Sequence, residues 1–254
     1  MVGGVKYEHG HRMIAQFVGL LTIILAIWTQ RRDRRSWMRK LGWFALLLVI
    51  IQGVLGGLTV KMLLPWYVST AHAMVAQTFF SLTVLFTVFA SQRWIASEAA
   101  LIRVPDTSTI SLRSLSVLAT LAVYMQLFFG GAFRHGGMHF LPHLIGAGIA
   151  TVILLLAAIA GMVTYPAIKP IRGASIAILG LLVMQLALGY GAYITRVVWG
   201  KDAVQPQPSM VATTVAHVAV GALLLAHCFM LNVQAYRNLS SAEESARDQK
   251  AVTA

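Results

Sequence analysis

Charged residues, acidic ones above all, are scarce in this sequence. They make up 11% of the 254 residues, and only 8 residues are Asp or Glu, whereas a soluble domain carries about a quarter charged residues. This shortage excludes an ordinary soluble globular chain. The single cysteine, Cys228, excludes both an internal disulfide framework and a metal site built from several cysteines.

Long apolar runs take the place of the missing charge, and hydrophobic residues make up 58% of the chain. A run of about 20 apolar residues is long enough to cross a bilayer as a helix. Seven such runs are predicted, at residues 12–30, 41–61, 69–90, 113–133, 143–163, 174–196 and 211–233. The predicted fold is therefore all-α, a polytopic transmembrane helical bundle.

The basic residues predict the orientation of this bundle. Fourteen lie on one side, namely Arg31, Arg32, Arg34, Arg35, Arg39, Lys40, Arg93, Arg103, Arg113, Lys169, Arg172, Arg237, Arg247 and Lys250. The other side has six, namely Lys6, Arg12, Lys61, Arg134, Arg196 and Lys201. The positive-inside rule places the N-terminus outside and the C-terminal tail in the cytoplasm. The net charge of +12 thus reflects membrane topology, and we expect no nucleic-acid partner.

An internal repeat divides the spans into two kinds. Each outward span carries Gln-x-x-x-Gly, in the pairs Gln52 and Gly56, Gln126 and Gly130, and Gln185 and Gly189. Each inward span instead begins with a histidine: His11, His72, His143 and His217. The surroundings of His11 resemble those of His143, and those of His72 resemble those of His217.

The repeat predicts two pseudo-equivalent four-helix halves. We expect an N-terminal half at 1–95, a cytoplasmic linker at 96–112, a C-terminal half at 113–236 and a polar tail at 237–254. The first half has three spans, because nothing before His11 matches the 113–133 span. We therefore expect either a start codon placed too late or a shortened relative.

The four span-leading histidines are candidate haem ligands. Neutral imidazole binds haem iron well, and two imidazoles on facing helices hold it from both sides. Equal depth and repeat-equivalent positions favour two pairs, His11 with His72 and His143 with His217. For any one histidine alone, an interfacial hydrogen-bonding role is the competing interpretation. We assign no role to the other four histidines, His9, His135, His139 and His227.

Glu8 is the candidate for chemistry, because a helix that reaches it places it on the face of His11, three residues on. The matching position in the second half is Phe140, so the halves differ. The competing interpretation of Glu8 is a carboxylate favoured at a helix N-terminus.

The motif glycines predict close helix packing. The basic residues that end the outward spans, Lys61, Arg134 and Arg196, are either interface anchors or partners of haem propionates.

The segment Tyr7-Glu8-His9-Gly10-His11-Arg12 resembles the Glu-x-x-His-Arg motif of the haem A synthase family. The three later histidines, His72, His143 and His217, fall where that family carries its other haem-ligating histidines. The two-half architecture is also similar, so the resemblance covers essentially the whole chain. It departs from the family in two respects, having seven spans instead of eight and lacking the cysteine pair that some members carry.

The resemblance implies an oxidoreductase that converts the methyl group of haem O to the formyl group of haem A for cytochrome c oxidase assembly. His143 and His217 would ligate a resident haem b, and His11 and His72 would ligate the substrate haem. Glu8 would be the catalytic carboxylate, and Arg12 would contribute to haem binding. The missing span puts the activity of this chain in question, since it would form one wall of the catalytic half.

Further expectations concern surroundings and partners. We expect the protein to lie in the bacterial plasma (inner) membrane and to receive haem O from a haem O synthase. We also expect a separate electron acceptor, and a homo-oligomer is one arrangement compatible with the sequence. Two other functions remain open: a non-catalytic electron-transfer protein with two permanent haem b groups, and a haem-handling factor for oxidase assembly.

Overall fold

The computed structural model describes residues 2–97, 101–200, 207–241 and 244, and for residues 2–8 it describes the backbone alone. The α-helices in these ranges are α1 (Val2–Arg32), α2 (Ser36–Lys61), α3 (Trp66–Ala90), α4 (Gln92–Ala96), α5 (Leu112–Arg134), α6 (Phe140–Val163), α7 (Lys169–Tyr193) and α8 (Pro208–Asn238). All except the short α4 are long and apolar enough to span a membrane. The predicted all-α bundle with seven spans is thus confirmed.

Six predicted spans lie within one observed α-helix each, and the span 174–196 covers the end of α7 and part of the π-helical turn that follows it. Helix α1 begins ten residues before the first predicted span, and α7 continues into a π-helical turn, Ile194–Val198. The last turns of α1 and α8 carry basic residues such as Arg32 and Arg237. Such residues stay helical at a membrane interface, where their charges reach water, but a search for apolar runs omits them.

Proline and serine mark several helix starts. Pro65 immediately precedes α3, Pro170 lies in the first turn of α7, and Pro208 begins α8. Proline suits these positions because the first turn of a helix has no use for the missing N–H. At the start of α5, the hydroxyl of Ser111 accepts a hydrogen bond from the backbone N–H of Ser114, which satisfies one of the unpaired donors there.

Helices α5 to α8 pack as a closed four-helix bundle. Both α5 and α7 contact α6 and α8, and buried residues including Leu154, Ile178 and Leu225 fill the centre. The first three long helices form a row in which α2 contacts α1 and α3. Helix α3 joins this row to the bundle by contacts with α5 and α8, and a short hydrogen bond between Thr78 and Tyr124 lies on this junction.

The segment between α4 and α5 is tied to the end of α8. Its short strand β1 (Val104–Pro105) pairs in parallel with β2 (Leu239–Ser240). The next residue, Asp106, accepts hydrogen bonds from the hydroxyls of Tyr165, at 2.6 Å, and Ser108, at 2.5 Å. Since Tyr165 lies in the turn between α6 and α7, Asp106 connects three parts of the chain at this end of the bundle, the linker end.

The opposite end of the bundle is the histidine end, where α1, α3, α6 and α8 begin and α2, α5 and α7 end. Contacts between helix starts and helix ends establish this arrangement. Gly131, near the end of α5, lies against Thr70 at the start of α3. Thr195, after α7, bonds to Thr213 near the start of α8 at 2.8 Å. The leading residues of the four helices are therefore at one end of the molecule.

Candidate functional site

All four histidines proposed as ligands lie at the histidine end, within the first third of their helices. His72, His143 and His217 are half-buried, whereas His11 is exposed. The common level follows from the alternating direction of the helices, because each inward helix carries its histidine within its first ten residues.

His143 and His217 face one another across the second-half bundle. Their ring centroids are 6.4 Å apart, and the ring planes are inclined by 86°. An imidazole nitrogen binds a metal at about 2.0–2.1 Å, and its ring centre lies roughly 1.1 Å farther away, so two imidazoles on opposite sides of one metal have centroids roughly 6.3 Å apart. The spacing of His143 and His217 therefore suits two axial ligands of one iron.

The first-half pair is less closely assembled. His11 lies near enough to His72 for their charges to interact, but no ring contact joins them among the described residues. The ring of His72 contacts Gln52 of α2. The first half therefore presents one seated imidazole, His72, and one exposed imidazole, His11.

The side chain of Glu8 lies outside the described residues. Its backbone belongs to α1, which is continuous from Val2 through His11, so positions 8 and 11 fall on one face of the helix. Arg12 follows on the same helix and is exposed. The condition set by the sequence, that the helix extends as far as Glu8, is met.

Phe140 shows what the position equivalent to Glu8 contacts in the second half. Its ring lies 6.2 Å from that of His143 and stacks on Tyr193 at 5.3 Å. A side chain three residues before the leading histidine therefore reaches that imidazole. In the second half the position contributes an aromatic wall.

A glutamine on the preceding outward helix contacts each of the three half-buried histidines. The Nε2 atom of Gln52 lies 3.3 Å from Nε2 of His72, and that of Gln185 lies 3.4 Å from Nε2 of His217. Gln126 contacts His143 twice, since its Nε2 donates to the histidine carbonyl at 2.7 Å and lies 3.0 Å from Nδ1. In the sequence these glutamines are recognisable only as part of a repeat, which assigns them no role.

The glycine of each Gln-x-x-x-Gly motif lies against the same imidazole. A Cβ added at Gly56 would lie 3.3 Å from Cε1 of His72. At Gly189 and Gly130 the corresponding distances to His217 and His143 are 3.1 and 2.9 Å. The motif glycines therefore do allow close approach between helices, as expected, but the group that approaches them is the histidine ring.

The other histidines on the helices have different surroundings. His227 lies ten residues after His217, and its Nδ1 donates to the carbonyl of Leu223 in its own helix at 2.8 Å. His9 is exposed on α1. Neither shares the arrangement of glutamine, glycine and imidazole.

Basic residues form a rim at the histidine end. The side chain of Arg196 donates to the carbonyl of Arg134 at 3.1 Å, which brings the two guanidinium-bearing residues together. Burial, with the positive charges of Arg134 and Arg196, lowers the pKa of His135 in the adjoining turn. His139 and Lys61 are exposed. Arg134 and Arg196 therefore gather positive charge at the histidine end.

Each histidine pair offers two imidazoles. Within the described ranges, no cluster of three or more His, Cys, Asp or Glu side chains is arranged to hold a bare metal ion. Two imidazoles nevertheless complete an iron site when a porphyrin supplies the remaining four nitrogens. The donor set is therefore suited to haem.

The fold and the histidine pairs define a class of protein, the polytopic helical membrane proteins with paired imidazoles at one end. The model of the family described as cytochrome oxidase assembly protein matches residues 5–142. The match covers more than half of the chain, which therefore belongs to this family, that of haem A synthase. Comparisons with curated proteins and with solved structures gave no match. The matched segment includes Glu8, His11 and His72 and ends one residue before His143.

Proposed function

We propose that this protein oxidises the methyl group of haem O to the formyl group of haem A for cytochrome oxidase assembly. The observation that carries the proposal is the pair His143 and His217, with ring centroids 6.4 Å apart, in a member of the cytochrome oxidase assembly protein family. A pair of imidazoles at this spacing is suited to haem, and the family connects haem to the oxidase.

In this proposal His143 and His217 hold a resident haem b. The Nδ1 atom of His217 is buried and has no hydrogen-bond partner among the described residues, so the ring retains unused bonding capacity. Haem b, when bound, supplies a one-electron carrier. The chain contributes the two imidazoles, the glutamines that orient them, and the aromatic wall formed by Phe140.

His11 and His72 bind the iron of the substrate haem. A site with one seated and one exposed imidazole suits a group that must enter and leave, whereas the closely assembled second-half pair suits a resident group. Glu8 is the proposed catalytic carboxylate. Support for its location comes from Phe140, whose ring reaches His143 from the equivalent position. Arg12, one position after His11, is the proposed partner for a haem propionate.

The reaction balances with water as the source of oxygen. A methyl group and one water become a formyl group, and four electrons and four protons are released. The electrons pass to an acceptor in the membrane, and the Glu8 carboxylate accepts protons close to the reacting carbon, as a positioned base does. Haem O is the substrate, and we propose that a haem O synthase delivers it.

The same proposal extends to the rim and the membrane. Arg134 and Arg196 lie together at the histidine end, where they would pair with the propionates of haem b. The excess of basic residues at the linker end supports an N-terminus outside and a C-terminus in the cytoplasm. We propose the bacterial plasma membrane as the location.

One observation favours the second candidate, an electron-transfer protein with two permanent haem b groups. The contact between Gln52 and His72 is 3.3 Å and that between Gln185 and His217 is 3.4 Å, so the two halves seat these histidines alike. A pair of equal resident sites would need no carboxylate at position 8. The identity of the bound haem separates the two candidates.

The test is to purify the protein from cells that make haem O, extract the haem and identify it. The proposed enzyme yields haem A or its hydroxylated precursor, and Glu8→Gln retains haem but gives at least a 100-fold lower yield of haem A, in the range expected for loss of a catalytic acid or base. Glu244→Gln, which removes an exposed carboxylate near the linker end, is the control and keeps the yield. Two haem b per chain, or an unchanged yield in Glu8→Gln, would contradict the proposal.

A further inference from the structure

We propose that the Gln-x-x-x-Gly motif of α2, α5 and α7 is an imidazole seat, in which the glycine leaves room for the ring of the next helix and the glutamine orients that ring. The inference rests on the proposed function, because it concerns how the histidines are presented to haem iron. It assigns positioning roles to Gln52, Gln126 and Gln185 and to their glycines.

The spacing within the motif explains why both of its residues meet one ring. Residues four apart lie on the same face of a helix, one turn from each other. On α7 the Gln185 carboxamide contacts Nε2 of His217 at 3.4 Å, and Gly189, one turn later, faces Cε1 of that ring. The same relation holds on α2, whereas on α5 Gln126 contacts Nδ1 of His143 and Gly130 again faces Cε1. One helix face therefore provides a hydrogen-bonding group and a recess for each histidine.

Among the glycines in the described part of the chain, an imidazole lies against the motif glycines alone. A Cβ added at Gly189 would lie 3.1 Å from Cε1 of His217, so the ring would have to shift by a few tenths of an ångström. A Cβ added at Gly180, on the same helix, would meet no atom within 4 Å. On α2, the motif glycine Gly56 faces His72, whereas the neighbouring Gly57 faces open space. Close packing between helices does not by itself account for this difference.

Unsatisfied polar atoms show how the glutamine acts. The Nδ1 atoms of His72 and His217 and the Oε1 atoms of Gln52 and Gln185 are buried without a hydrogen-bond partner among the described residues. A half-turn of the carboxamide alone exchanges its Oε1 and Nε2 atoms and would place the orphan Oε1 against the ring nitrogen Nε2, whose N–H it would accept. This single hydrogen bond satisfies Oε1, fixes one tautomer of the ring and leaves the lone pair of Nδ1, the ring nitrogen without a partner among the described residues, for iron. Iron-binding histidines in general donate their other N–H to such an acceptor, which also raises their basicity.

Gln126 holds His143 in a related way. Its Nε2 donates to the His143 carbonyl at 2.7 Å and lies 3.0 Å from Nδ1, so it fixes both the backbone and one edge of the ring. Nε2 is then the ring nitrogen on the side away from the glutamine. All three seats engage their histidine through the same kind of side chain.

The test uses the purified full-length protein with its haem, and compares Gly189→Ala with Gly180→Ala. Gly180→Ala should keep the haem content and low-spin EPR signal of the unaltered protein. Gly189→Ala should weaken the low-spin signal or shift its g values, because the added methyl group moves the His217 ring relative to the iron. Native burial of Cys228, measured by its resistance to a thiol reagent, shows that the variant is folded. An unchanged low-spin signal in folded Gly189→Ala would contradict the claim that Gly189 leaves the room that the His217 ring needs.

The glutamine is tested by opposite substitutions. Gln185→Leu removes the acceptor and should weaken haem binding by about 10- to 100-fold and raise the midpoint potential. Gln185→Glu supplies a stronger acceptor, increases the basicity of His217 and should lower the potential. A role in packing alone would not give shifts of opposite sign, so shifts of one sign, or none, would overturn the orienting role.

Failure of the inference is distinguishable from failure of the proposed function. If the unaltered protein binds no low-spin haem, the proposed function fails. If it binds haem and the seat variants behave like their controls, the inference alone fails. A haem-free preparation labelled with ¹⁵N-histidine gives an independent measurement. His217 should have one tautomer in the unaltered protein and a mixture in Gln185→Leu, and equal tautomer populations in both proteins would count against the seat.

Discussion

Asp106 provides the most quantitative prediction, because its carboxyl group holds the linker end together. Burial favours the neutral carboxyl group, but hydrogen bonds from Ser108, Tyr165 and Ser111 and from the backbone N–H of Arg113 outweigh it and lower the pKa of Asp106 to about 2. These donors favour the carboxylate, so the charged form of Asp106 stabilises the folded protein more than the neutral acid does. Asp106→Asn should therefore destabilise the fold.

The magnitude and the pH range follow from the pKa. The depression of the pKa of Asp106 from 3.8 to about 2 corresponds to about 2.4 kcal/mol of folding free energy. Solvent around this half-exposed carboxylate screens the interaction and reduces it to about 1 kcal/mol. Since the folded-state pKa is the lower one, the stabilisation is present above about pH 4 and is lost as the pH falls from about 4 to 2.

The single cysteine provides the assay. Cys228 has 0% of its surface exposed and should react with dithiodipyridine, a disulfide that exchanges with thiols in acid as well as at neutral pH, only when α8 separates from the bundle. At pH 7 in detergent, Asp106→Asn should lower the free energy of unfolding by about 1 kcal/mol, and the difference should vanish near pH 2. Tyr165→Phe removes one of the donors, so the effects of Tyr165→Phe and Asp106→Asn should not add. Equal stability at pH 7, or a difference that does not change with pH, would refute the reasoning.

Two further predictions concern the junction of the halves and the rim. Tyr124→Phe removes the hydrogen bond to Thr78 and should lower the free energy of unfolding by about 1 kcal/mol in the same thiol assay, whereas an unchanged midpoint would deny this contact a stabilising role. Arg196→Gln should increase the rate at which haem b leaves the protein, measured as transfer to an apoglobin, while Arg172→Gln at the linker end should leave it unchanged. Equal rates in the two arginine variants would argue against propionate pairing at the rim.

The helices were predictable from the sequence because a membrane imposes a length and a polarity on each span. The ends of the helices were less predictable. Residues such as Arg32 and Arg237 are helical yet charged, and the five-residue α4 is too short to produce a periodic pattern. The pairing of Val104–Pro105 with Leu239–Ser240 joins segments far apart in sequence, and two residues carry no recognisable strand signal.

The site was predictable in its residue types but not in its contacts. The repeat identified His143 and His217, because equivalent positions and equal depth can be found by counting along the chain. That Gln126 meets His143 depends on the relative height and rotation of α5 and α6, which the periodicity of either helix alone does not determine. Similarly, Gly189 and Gly180 are both glycines within α7, and the structure alone shows that an imidazole lies against Gly189.

The central claim is that imidazoles from α6 and α8 hold haem between them, and low-spin EPR of the purified protein with its haem tests it most directly. His217→Ala should abolish the low-spin signal of the second-half site. His227→Ala, a change of the same kind ten residues farther along α8, should leave that signal unchanged. A low-spin signal of full intensity in His217→Ala, or its loss in His227→Ala, would contradict the account.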